Sequence, residues 1–198
     1  MITIVDYKAG NLASVRKAFA HLGHPTCVTE NSDVVARAQK LVLPGVGHFR
    51  ATVQLSRTGL RQAIEQAIGQ GVPFLGICVG MQWMFESSEE APEVHGLGVL
   101  SGRCVRFPSA VKSPHVGWNQ VQQRSDSRLL SGLPREFFVY YTHSYRALVA
   151  EGTVAETEYG GPFAAVIECD NLFGVQFHPE KSGEAGLRLL DKFAGLPC

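Results

Sequence analysis

The chain has 198 residues, with 18 Lys plus Arg balanced by 18 Asp plus Glu, so its formal net charge is zero. That length fits one compact domain, 1–198, with a sizeable core. Zero net charge removes the electrostatic reason to expect nucleic acid or an anionic membrane as partner.

In chain order, strand and helix signals alternate. Ile2 to Val5 reads as a strand. No basic stretch, apolar run and cleavage site precede it, so a secretory leader is not expected. Asn11 caps a helix whose apolar face is Leu12, Val15, Phe19 and Leu22, with Gly23 ending it. Thr26 to Thr29 is a short strand and Ser32 to Ala38 a helix. Lys40 to Leu43 is an apolar strand closed by Pro44-Gly45. Leu60, Ile64, Ala67 and Ile68 mark a helix face that Gly71 and Pro73 terminate. A buried strand then runs into Cys78, and Met81 to Phe85 continues as helix. The uncharged stretch between Glu65 and Glu86 matches a membrane span in length. Gln66, Gly69, Gln70, Gly71, Pro73, Gly76 and Gln82 interrupt it, so no membrane crossing is expected.

The second half changes character. Gly98 to Phe107, Gly117 to Gln122, Phe137 to Tyr141, Thr153 to Tyr159, Phe163 to Glu168 and Leu172 to Phe177 read as strands with short turns. A last helix spans Gly183 to Phe193. Fully apolar strands alternating with helices imply an α/β fold: an open, mainly parallel sheet flanked by helices on both faces. The later strands add an antiparallel or mixed portion. In such sheets the site lies at the carboxyl ends of the strands.

Cysteine usage is informative. Cys27, Cys78, Cys104, Cys169 and Cys198 are odd in number and widely spaced. That argues against a disulfide framework or a zinc knuckle and suits a reducing cytoplasm. His-Glu-x-x-His is absent and no other cluster has metal-ligand spacing, so no metal is expected. Gly45-Val46-Gly47 runs into His48-Phe49-Arg50 without a third glycine, which rejects a dinucleotide fingerprint; no cofactor is expected.

Cys78 is different from the other cysteines. It ends an apolar run, with Gly76 and Gly80 two residues away on each side and a helix behind it. That is the pattern of a nucleophile elbow, in which strained backbone exposes the reactive side chain. A helix start pointing at sulfur favours thiolate over thiol. The rival reading is an inert core cysteine.

A thiolate nucleophile needs a proton manager, and that group needs an orienter. His178 follows an apolar strand, and Glu180 lies two residues on, on the same face of extended chain. Pro179 keeps His178 extended. A tetrahedral intermediate needs backbone donors. Val79 follows the nucleophile, and Gly45, Val46 and Gly47 end another strand with freedom to turn an N–H inward.

Together Phe74-Leu-Gly-Ile-Cys-Val-Gly-Met-Gln82, Pro44-Gly-Val-Gly47 and Phe177-His-Pro-Glu180 resemble the class I (triad) glutamine amidotransferases. Asp6-Tyr-Lys-Ala-Gly-Asn-Leu12, Met84-Phe-Glu-Ser-Ser-Glu-Glu90, His115-Val-Gly-Trp-Asn119, Tyr141-Thr-His-Ser-Tyr145 and Lys181-Ser182 extend the match over the whole chain. These segments favour the glutaminase subunits that serve a (βα)8-barrel cyclase in histidine biosynthesis.

The resemblance implies a flavodoxin-like core and hydrolysis of L-glutamine through a Cys78 thioester. His178 and Glu180 complete the triad, and Val79 with Gly45–Gly47 holds the oxyanion. It places Gln82, Glu90 and the backbone around His143, Ser144 and Tyr145 at the glutamine. It also puts Asn11, Trp118 and Lys181 at the interface of a heterodimer with the cyclase. The glutaminase accounts for nearly the whole length, so a separate chain should receive the ammonia. The alternatives are the glutaminase of another pathway (pyridoxal-phosphate synthase or anthranilate synthase type), a thiol peptidase or hydrolase, and a non-catalytic binding subunit.

Overall fold

Four strands are buried along their whole length: β1 (Ile2–Val5), β3 (Lys40–Gly45), β4 (Phe74–Cys78) and a later one, β12 (Leu172–Val175). Such strands suit the middle of a sheet covered on both faces. β2 (Thr26–Thr29), less buried, lies at its edge. The computed structural model describes residues 1–197; Cys198 lies outside the described residues.

Helices punctuate these strands. α1 (Leu12–His21) starts at Asn11, whose Oδ1 accepts from Ser14 N–H at 3.3 Å, and buries Val15, Ala18 and Phe19. α2 (Ser32–Ala36) is capped by Asn31 and stops two residues short of the expected Ala38. A 3-10 turn at Phe49–Thr52 and α3 (Val53–Arg57) precede α4 (Leu60–Gly69), which buries Leu60, Ala63, Ile64 and Ala67. α5 (Val79–Gln82) is one turn long.

The remaining strands are β5 (Phe85–Ser88), β6 (Leu100–Arg106), β7 (His115–Gln123), β8 (Glu136–His143), β9 (Tyr145–Ala147), β10 (Thr153–Glu158) and β11 (Pro162–Cys169). A 3-10 turn at Pro179–Lys181 follows β12 and leads into α6 (Gly183–Gly195).

The large sheet runs β2-β1-β3-β4-β12-β11-β10-β7-β8. From β2 to β12 its pairings are parallel. From β12 to β8 they are antiparallel. α1 packs with α6, and α2 and α3 pack with α4; these two groups flank the sheet. The α/β sheet with its antiparallel extension matches the expectation from sequence.

A second, three-stranded sheet, β5-β6-β9, was not foreseen. The helix expected to reach Phe85 ends at Gln82, and Phe85 opens β5 instead. The returning segment is responsible: Leu97, Gly98 and Leu100 donate to the carbonyls of Trp83, Phe85 and Met84. Gly96 permits this approach, because a Cβ there would lie 1.9 Å from the Phe85 carbonyl oxygen.

Candidate active site

Strand order assembles the site. β4 pairs with β3 on one side, Gly45 opposite Cys78, and with β12 on the other, Val175 opposite Ile77. Three carboxyl-terminal strand ends therefore meet: the glycine loop after β3, Cys78 after β4 and His178 beyond β12. Cys78 has φ 53° and ψ −107°, an unusual conformation for a non-glycine residue. The glycines around it leave no room for side chains. A Cβ on Gly80 would lie 1.9 Å from the Leu43 carbonyl oxygen, and one on Gly76 would lie 2.6 Å from that of Gly80.

Val79 begins α5 and is buried. Gly45 packs so tightly that a Cβ would meet the Tyr7 hydroxyl and Val79 Cβ at 2.7 Å. Val46 is half-buried, and Gly47 is exposed with φ 91°. The structure thus brings Gly45 against Val79, beside Cys78.

His178 Nδ1 lies 3.0 Å from Glu180 Oε1, and both side chains are about as buried as a core residue, at 1% exposure each. The carboxylate can only accept, so Nδ1 carries the proton and Nε2 is turned to other work. Among the described residues no polar atom lies within hydrogen-bond distance of Glu180 Oε2 or of Nε2, whose remaining neighbour is the Cys78 sulfur. The backbone of His178 is clamped: its N–H donates to Tyr140 O at 3.0 Å, and Ser182 Oγ donates to its carbonyl at 2.6 Å. Burial by itself would lower the His178 pKa. The Cys78 thiolate and then the Glu180 carboxylate overcome it, and the pKa is raised to about 10.

Gln82 is buried. Its Nε2 donates to Tyr145 O at 2.8 Å and to Gln176 Oε1 at 3.1 Å, while Gln176 Nε2 reaches Cys78 Sγ at 3.7 Å. Glu90 is no solvated loop charge: its Oε2 accepts from Phe49 N–H at 2.7 Å and ties the turn after the glycine loop to the β5–β6 connection. Tyr145 O also accepts from His143 Nδ1 at 2.9 Å, and Ser144 O from Phe107 N–H at 3.1 Å. These carbonyls are therefore engaged within the protein. A cavity of about 550 Å³ opens at the opposite ends of the strands, lined by Pro73, Asn171 and Phe173, and holds none of the triad.

The class I glutamine amidotransferase model matches residues 3–194. The chain belongs to the class I glutamine amidotransferases. Among its relatives, imidazole glycerol phosphate synthase subunit HisH of Salinibacter ruber is 47% identical over 100% of this chain and 95% of its own length. The protein of the same name from Methanocaldococcus jannaschii is 42% identical over 99% of this chain and 100% of its own. The crystal structure of a glutamine amidotransferase superposes with TM-score 0.78 at 18% identity, covering 99% of this chain and 100% of that one. PurLQS from Thermotoga maritima gives 0.76 at 18% identity, covering 97% and 96%. These likenesses carry the fold.

Within this glutamine amidotransferase the residues expected at an interface gather near the triad. Trp118 is 57% exposed and packs edge-on against Tyr140, with Lys181 Nζ 5.8 Å from the same ring. α1, which Asn11 caps, packs on the Pro179–Lys181 turn. Sequence reasoning missed Gln176 and Tyr7. Gln176 had a signal: it lies two residues before His178, in the short segment that follows β12. Tyr7 has a buried hydroxyl without a partner among the described residues, and its pKa is pushed up by burial and then by the Cys78 charge.

Proposed function

We propose that this chain is the glutaminase subunit of an imidazole glycerol phosphate synthase. It hydrolyses glutamine to glutamate and ammonia, and the ammonia passes to a (βα)8-barrel cyclase subunit. The observation that carries the reading is the meeting of Gly45, Cys78 and His178 at adjacent strand ends, in a chain aligned end to end with its relatives.

The Cys78 thiolate attacks the side-chain amide carbon of glutamine. The oxyanion takes backbone N–H bonds from Val79 and the Gly45–Gly47 loop. His178, held as imidazolium, gives its proton to the departing nitrogen, and the C–N bond breaks to leave a thioester. Water then attacks the thioester with His178 taking its proton, and the thiolate leaves as glutamate forms. Glu180 keeps His178 in register throughout. Gln82 and Glu90, with the backbone from His143 to Tyr145, frame the glutamine. Free ammonia in neutral water takes up a proton and ceases to be a nucleophile, so a docked acceptor chain is required. Asn11, Trp118 and Lys181 form part of the surface that meets it.

Glutamate release from glutamine tests this, with the chain alone and with the cyclase and its ligand. Turnover should rise when the loaded cyclase is added. Turnover indifferent to the cyclase would remove the pathway assignment and leave the glutaminase chemistry standing.

A further inference from the structure

We propose that Gln176 is a further catalytic residue: its side-chain amide donates a hydrogen bond to the Cys78 thiolate, in an orientation imposed by Gln82. The proposal rests on the reading of Cys78 as the nucleophile.

The direction of each bond follows from donor chemistry. The Tyr145 carbonyl can only accept, so the Gln82 atom 2.8 Å from it is Nε2. That same Nε2 lies 3.1 Å from the Gln176 amide, which must therefore present Oε1. One end of Gln176 being fixed as acceptor, the other end is the donor, and it lies 3.7 Å from Cys78 Sγ. His143 Nδ1 donates to the same Tyr145 carbonyl at 2.9 Å, which anchors the start of the chain. An amide with its oxygen toward sulfur would set lone pair against lone pair there and N–H against N–H at Gln82.

Gln176 is fully buried, and its backbone N–H is tied to Ala165 O at 3.0 Å. No water competes for its amide, so the bond acts in a low-dielectric setting where a donor aimed at an anion counts most. The donor lies on the segment just after β12, which also delivers His178. The sulfur thus meets a neutral donor and an imidazolium from the same segment, and the donor stays in place when His178 gives up its proton. That separates their tasks: His178 moves the proton, and Gln176 stabilises negative charge on the sulfur, in the attacking thiolate and again as the C–S bond breaks during thioester hydrolysis. Gln82 is a positioning residue in this scheme, acting through Gln176.

The test is the pH profile of Cys78 alkylation by iodoacetamide, read peptide by peptide so that the other cysteines are scored apart. In Gln176→Leu the midpoint should rise by about one unit, the size of a charge-assisted hydrogen bond. In the isosteric Gln176→Glu it should rise further, because a carboxylate accepts from Gln82 and turns an oxygen on the sulfur. Glutamine turnover in the complex with the cyclase should fall roughly 10- to 100-fold in kcat, with KM moving less than about threefold. Midpoints equal to that of the unaltered chain in both variants would reduce Gln176 to packing. A measurement on the unaltered protein needs no variant of Gln176 to fold. Its side-chain amide protons should shift downfield as Cys78 ionises and stay fixed in Cys78→Ala; shifts that ignore Cys78 overturn the proposal. Glutamine turnover surviving in Cys78→Ala would instead sink the nucleophile reading itself.

Discussion

At His178 opposing effects can be ranked. Burial disfavours the imidazolium, yet the pKa is raised to about 10, so the thiolate of Cys78 and the carboxylate of Glu180 together outweigh desolvation. The sulfur is the larger favourable cause, which makes a sharp expectation. In ring-nitrogen NMR the His178 proton should persist to about pH 10 in the unaltered chain. In Cys78→Ala it should leave at distinctly lower pH; an unmoved titration would mean that Glu180 alone holds it. The proposed triad could be suggested from sequence because Cys78, His178 and Glu180 carry reactive side chains in a recognisable local frame. Gln176 could not, since an amide becomes informative only when its neighbours show which end is the donor.

At the scale of elements, the elbow between β4 and α5 depends on glycine for space rather than for φ. Gly80 has a carbonyl oxygen 1.9 Å from the position of an added Cβ, and backbone cannot rotate away as a side chain can. Gly80→Ala should therefore cost several kcal/mol, on the scale of severe overpacking, and abolish soluble yield or lower the melting temperature sharply. A melting temperature within a degree or two of the parent would contradict the packing.

The β7–β8 pair carries a second prediction. His115 and His143 lie 3.3 Å apart in a buried cluster with Phe107, Tyr141, Tyr159 and Phe163. Burial pushes their pKa values down, to about 4 and about 3. Both are therefore neutral when folded, and the unfolded chain binds protons more readily below pH about 6.5. Their contribution to stability is complete above that pH and is lost as pH falls toward 4, at up to about 1.4 kcal/mol per unit for each histidine. Melting temperature should fall from pH 6.5 to 4.5, and His115→Asn should flatten that slope. An equal slope in the variant would point to other groups. Gly117 to Gln122 and Phe137 to Tyr141 were readable as strands, but pairing partners between β7 and β8 were not readable from either strand separately.

At the scale of the molecule, sheet order does what no segment does. Cys78 and His178 are a hundred residues apart in sequence and neighbours only because β12 inserts beside β4. The same order leaves Trp118 at 57% exposure on the outer strands, close to Lys181 and the triad. An exposed Trp at such a site is the sort of residue that anchors an interface. Trp118→Ala should weaken association with the cyclase roughly 10- to 100-fold by calorimetry, while leaving the melting temperature of the isolated chain within a few degrees. Unchanged affinity would move the interface elsewhere.

The amino-acid sequence by itself determined the alternating strands and helices, the glycine-framed cysteine and the His-Pro-Glu run, because periodicity, caps and tight turns are short-range properties. Tertiary structure decided the rest. It turned the chain after Gln82 into β5 by supplying partners for its carbonyls, closed the small sheet, engaged Glu90 with Phe49, and aimed the Gln176 amide at sulfur. Each of these depends on which distant groups are left needing a hydrogen bond once the chain is packed, and that is settled only when the strands have found their order.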